Sequence, residues 1–72
     1  MDILEIKDKQ VMQREAAAAR LREIADALER HNGLTLEREG KRIAVRVPDR
    51  VELEVEVEVE ADGGSIEVEV SW

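Results

Sequence analysis

The 72-residue chain has no cysteine, phenylalanine or tyrosine, and a single proline, histidine, threonine and tryptophan. Each shortage removes a class of explanation. Without cysteine there is neither a disulfide framework nor a thiolate metal site to stabilise a chain near the lower size limit for one hydrophobic core. Packing has to supply that stability, alone or with help from a second chain. The lack of cysteine also fits a cytoplasmic location. No apolar run approaches the roughly 20 residues of a membrane span, and the amino terminus lacks the basic-then-apolar order of a signal peptide. The expectation is a soluble, cytoplasmic protein without a membrane partner.

Lysine is scarce as well. Three Lys and 8 Arg stand against 13 Glu and 5 Asp, for a net charge of -7. Such a balance repels anionic partners at long range. The arginines of the central segment, Arg14, Arg20, Arg22 and Arg30, are interleaved with acids and have no aromatic platform beside them, so nucleic-acid binding is not expected. Abundant carboxylate with little lysine matches a salt-rich, halophilic cytoplasm, where cations screen self-repulsion. An ordinary solubilising surface has the same composition.

Reactive groups are equally few. No Gly-rich phosphate loop, HExxH or EF-hand pattern occurs. His31 falls in the last turn of the helix described below, where an imidazolium favours the carbonyl-rich end. Ser71 has no histidine spaced to activate it. The chain reads as a non-enzyme, with no catalytic residues, cofactor or metal.

What the chain does have is alternation. Val51, Leu53, Val55, Val57 and Val59 alternate with Glu52, Glu54, Glu56, Glu58 and Glu60, and after Ala61-Asp62-Gly63-Gly64-Ser65 the pattern resumes with Ile66, Val68, Val70 and Trp72. A period of two means two strands, each with one apolar and one acidic face. Asp62-Gly63 or Gly63-Gly64 supplies the positive φ of a tight hairpin turn. The first choice sets Glu58 opposite Glu67 and Glu56 opposite Glu69; the second sets Glu60 opposite Glu67 and Glu58 opposite Glu69. Either opposes like charges, at a cost of tenths to about 1 kcal/mol per pair.

Upstream, Asp2 to Lys7 reads as a short strand. Arg14 to about His31 is helical, with Ala17, Leu21, Ile24, Ala25 and Leu28 on one stripe and Glu15, Arg22, Asp26, Glu29 and Arg30 opposite. Asp26 and Arg30 are spaced for an ion pair, Gly33 is placed as the left-handed cap, and Gln13 is a poor amino-terminal cap. Leu34 to Arg38 and Lys41 to Val47 form a hairpin around Glu39-Gly40, with Leu36 opposite Ile43, Leu34 opposite Val45 and Glu37 opposite Arg42. A tight Val47-to-Val51 connection through Pro48 then pairs Val45 with Leu53, Ile43 with Val55, Arg46 with Glu52 and Arg42 with Glu56.

The chain resembles the amphi-Trp domain, a family of small proteins frequent in halophilic archaea. The likeness is carried by Arg14-Glu15-Ala16-Ala17, Leu21 to Leu28, Val47-Pro48-Asp49, the alternating Glu/Val strand and the terminal Trp72. Gln13 stands where similar sequences commonly have Ser. The resemblance implies a single domain over residues 1–72 and carries no catalytic residue across.

The predicted architecture is α+β and two-layered: one helix on a mostly antiparallel four- to five-stranded sheet, in the order β-α-β-β-β-β. A helix about 27 Å long and 10 Å across covers only half of a five-stranded sheet about 20 Å wide. Val55, Val57, Val59, Ile66, Val68, Val70 and Trp72 are left over as a candidate interface, with a homodimer expected to cover them. Glu54, Glu56, Glu58, Glu67 and Glu69 form a candidate acidic face. The functional expectation is a non-catalytic, self-associating interaction module. The alternative is a binder of cations or basic ligands, including a basic protein partner, through that face.

Overall fold

The computed structural model describes residues 4–72. It is α+β, with one helix, α1 (Arg14–His31), followed by four strands: β1 (Gly33–Arg38), β2 (Lys41–Arg46), β3 (Glu52–Glu60) and β4 (Gly63–Ser71). All pairing is antiparallel, but the strands form two separate two-stranded sheets, β1-β2 and β3-β4.

The helix begins where its periodicity begins. Gln13 is extended (φ -69°, ψ 151°) and its carbonyl accepts from the Ala17 N–H at 3.1 Å, while its side chain makes no capping bond. At the other end the left-handed residue is Asn32 (φ 56°, ψ 33°), one position before the glycine predicted for that role. Asparagine tolerates this region through its short polar side chain. Gly33 is needed for a different reason: it opens β1, and a Cβ there would collide with the Val45 carbonyl oxygen.

The first hairpin follows the sequence reading residue for residue. Leu34 pairs with Val45, Leu36 with Ile43 and Glu37 with Arg42, whose guanidinium lies 3.5 Å from the Glu37 carboxylate. The turn residues Glu39 (φ 54°) and Gly40 (φ 76°) are both left-handed, the conformation that matches the twist of two-residue hairpins. α1 packs on β1, and the half-buried side chains of this unit are Ala17, Ala18, Ile24, Ala27 and Leu28 from the helix and Leu34, Leu36, Ile43 and Val45 from the strands. Leu21, in the middle of the helical stripe, remains 56% exposed.

Four expectations are corrected. Leu4 to Lys7 form no strand; Asp2 and Ile3 lie outside the described residues. Ile6 alone is half-buried, and with Lys7 and Asp8 it lines a depression against Thr35 to Arg38 of β1 and Arg20. Two apolar side chains give too little burial to offset the ordering of a six-residue strand. Asp26 and Arg30 do not pair; the helix's ion pairs among the described residues are Arg14–Glu15 and Arg20–Glu23, all four side chains exposed.

The third correction concerns β2 and β3, which do not pair within the chain. The β1-β2 ladder runs one step past β2, where the Val47 N–H donates to the Asn32 carbonyl at 2.9 Å. Pro48, which has no N–H, then ends it. Residues 48–51 lead away, and β3 and β4 come near the rest of the chain only at the base of their hairpin, where Val70 and Leu28 line one depression.

The fourth is the register of the last hairpin. It turns at Ala61-Asp62, two residues before the glycines, so that Glu60 faces Gly63. No residue from Ala61 to Gly64 has positive φ, so the turn requires no glycine. Gly64 instead serves a close approach: a Cβ there would lie 2.8 Å from the Glu58 carbonyl oxygen. A shift by two preserves the faces, so the apolar side chains still share one side.

Candidate functional site

The β3-β4 hairpin carries both predicted surfaces. On its apolar face the cross-strand pairs are Leu53–Val70, Val55–Val68 and Val57–Ile66, with Val59 opposite Gly64. The alternation of valine and glutamate puts every branched side chain on this face, where β-branched residues fit the pleat. In a single chain that face is open: Val55, Val57, Val59, Ile66 and Val68 are 53 to 82% exposed, and Leu53 is 62% exposed. Val70 is half-buried. Among the described residues no large apolar side chain is fully buried, and Gly33 is the one buried residue.

The magnitude of this exposure decides how it is read. The accessible surface is 7276 Å² for a chain of 8.2 kDa. A compact monomer of that mass exposes about 4,500 Å², so the chain carries an excess of roughly 2,700 Å². That excess counts polar and apolar atoms alike and includes the extended residues before α1; the open valine face of the hairpin is one part of it.

The opposite face is the acidic one. Glu54 faces Glu69 and Glu56 faces Glu67, whereas Glu58 faces Ser65 and Glu52 faces Ser71. Opposed residues have Cβ atoms about 5 Å apart, and same-face residues repeat at about 6.7 Å. The carboxylates are therefore spread as a grid, and among the described residues no three acidic or histidine side chains converge on one point. The arginines predicted to face the grid lie elsewhere. Arg42 is engaged with Glu37, and Arg46 borders the depression that holds Trp72.

Trp72 sits where the hairpin's base meets the rest of the chain. With Asn32, Arg46, Val47, Pro48 and Asp49 it lines an open depression of about 530 Å³. Beside it, Val51 and Val70 meet Leu28, Asn32, Val47 and Pro48 around a smaller one of about 230 Å³. The indole remains 65% exposed. Sequence reasoning missed this junction because its members come from three distant segments, the helix end, residues 46–51 and the end of the chain; the one local pointer is Asn32-Gly33 at the helix end. His31, by contrast, is exposed on the last turn of α1 as read from the sequence.

A family model, the amphi-Trp domain, matches residues 2–72, a span that includes the helix, the Val47-Pro48-Asp49 link, the amphipathic strands and Trp72. The chain belongs to the amphi-Trp domain family. No curated protein and no solved structure matches it. Within the amphi-Trp domain, the naming tryptophan lies at the junction, and the amphipathic hairpin it closes is the largest uncovered apolar surface.

Proposed function

We propose that this amphi-Trp domain is a non-catalytic interaction module that works as a homodimer, the second copy covering the apolar face of the β3-β4 hairpin. The observation that carries this reading is the excess surface of roughly 2,700 Å² joined to the absence of a buried apolar core among the described residues. A 72-residue chain has only a few kcal/mol of net stability available, and it comes from apolar burial. Without a cover for Leu53, Val55, Val57, Ile66 and Val68 that burial is missing.

The acidic grid belongs to the outward surface of such a dimer. Two copies at net charge -7 each repel one another, as do Glu54 and Glu69, and Glu56 and Glu67, across the hairpin. Dissolved cations screen both effects, which fits a surface adapted to salt. The test is sedimentation velocity from 1 to 100 μM chain, about the range of ordinary dimer constants, in low and high salt. A dimer that tightens with salt is the expected outcome. A strict monomer at the highest concentration and salt defeats the proposal.

A further inference from the structure

We infer that the two copies exchange hairpins: β3 of each chain pairs antiparallel with β2 of the other about a two-fold axis through Asp49. This rests on the homodimer proposed above and specifies how it is built.

The inference starts from two unpaired edges. In the β1-β2 sheet, the far edge of β1 borders the Ile6-to-Asp8 segment, and among the described residues nothing pairs with the far edge of β2 or with either outer edge of the other sheet. The edge of β2 is basic, with Lys41, Arg42 and Arg46, whereas β3 is acidic at every second residue from Glu52 to Glu60. Residue types mirror one another around Asp49. Val47, Val45 and Ile43 match Val51, Leu53 and Val55, and Arg46 and Arg42 match Glu52 and Glu56. A segment of this pattern is self-complementary when paired antiparallel with its own copy.

Within one chain these edges do not meet, because Pro48 ends the ladder and the connection leads β3 away. Between chains the same complementarity has no loop to close. Each copy gives its hairpin and receives one, so every contact occurs twice. The hairpin's apolar face then continues the face formed by Leu34, Leu36, Ile43 and Val45, beneath the exposed Leu21 of α1.

Area separates this arrangement from two hairpins stacked face to face. One hairpin is about 27 Å long and 10 Å wide, a footprint near 270 Å². A standard interface takes about 800 Å² of accessible surface per partner, and obligate homodimers take more. Exchange adds the edges of β2 and β3 and the face beneath α1 to what each chain buries, so an interlocked dimer covers more than stacked hairpins do.

Two charge-reversed chains test the pairing. One carries Arg42→Glu and Arg46→Glu, the other Glu52→Arg and Glu56→Arg. Alone, each opposes like charges at four cross-strand positions of its exchanged homodimer and self-associates about a hundred-fold more weakly than the parent. Mixed one to one, all four pairs become Arg with Glu, and a heterodimer of parental affinity forms. Either variant dimerising alone as well as the parent overturns the exchange, and so does a mixture that stays monomeric. A second measurement leaves Arg42, Arg46, Glu52 and Glu56 unchanged: Ala44→Cys mixed with Glu54→Cys and treated with a short bis-maleimide gives a covalent heterodimer. Failure to cross-link while sedimentation still reports a dimer refutes the exchange and spares the homodimer. A monomeric parent refutes both.

Discussion

Val55→Ala is the substitution whose outcome depends most on whether the hairpin is covered. In the single chain Val55 is 59% exposed and lies across from Val68; in the exchanged dimer it also lies opposite Ile43 of the other copy. Truncation removes about two methylene equivalents, worth ~0.8 kcal/mol each when buried, and leaves a small cavity that adds to the loss. The site occurs twice in the dimer, so dissociation is favoured by about 3 kcal/mol, or roughly two orders of magnitude in Kd. On a hairpin left in water the same change stays within about 0.5 kcal/mol. Val59→Ala is the internal control, since Val59 is 82% exposed, faces Gly64, and projects past the end of β2 in the exchanged register. The assay is sedimentation together with the melting temperature as a function of chain concentration, which rises for a dimer coupled to folding. A melting temperature independent of concentration, with Val55→Ala and Val59→Ala equally mild, refutes the reasoning.

Two further outcomes concern the fold alone. Gly64→Ala is destabilising by about 1 to 3 kcal/mol, because its Cβ meets backbone at 2.8 Å and the neighbouring strand has to shift. Gly63→Ala, with open space and no positive φ, is neutral; urea unfolding of the two variants checks the contrast. Gln13→Ser supplies the missing amino-terminal cap at a residue already in capping geometry and stabilises by about 0.5 to 1 kcal/mol, read from the urea midpoint and from helical circular dichroism.

The parts legible in the sequence are those fixed by contacts close along the chain. The helix from Arg14 to His31 follows from its stripe. The first hairpin follows because Glu39-Gly40 is short enough to dictate a single register. The period of two also assigns each residue of the last hairpin to a side whatever the register, and the observed pairing keeps apolar residues opposite apolar ones and Glu54 and Glu56 opposite Glu69 and Glu67. The last hairpin was legible in its faces and not in its turn. Glycines at 63 and 64 have two uses, left-handed φ and close backbone approach, and the sequence does not distinguish them. Asn32 and Gly33 divide the same two uses between them at the helix end. The side chains of β2 and β3 are complementary around Asp49, yet the two strands do not pair within the chain, because the backbone at Pro48 directs them apart.

That same complementarity gives the glutamates a second effect. If β3 paired with β3 of another copy in any antiparallel register that kept the apolar faces together, even-numbered residues would face even-numbered residues. Glutamate would then oppose glutamate at every polar position. Each such pair costs tenths to about 1 kcal/mol, and up to five of them, in the register centred on Glu56, disfavour that edge-to-edge association and the open-ended stacking it permits. Paired with β2 instead, Glu52 and Glu56 meet Arg46 and Arg42. The repulsion that weakens the isolated hairpin at Glu54–Glu69 and Glu56–Glu67 is thus the cost of a selective edge: the acidic strand rejects its own copy and accepts the basic strand. Arginine serves here better than lysine, because its planar fork keeps donors directed at a carboxylate across the strand, and both matching positions on β2 are arginine.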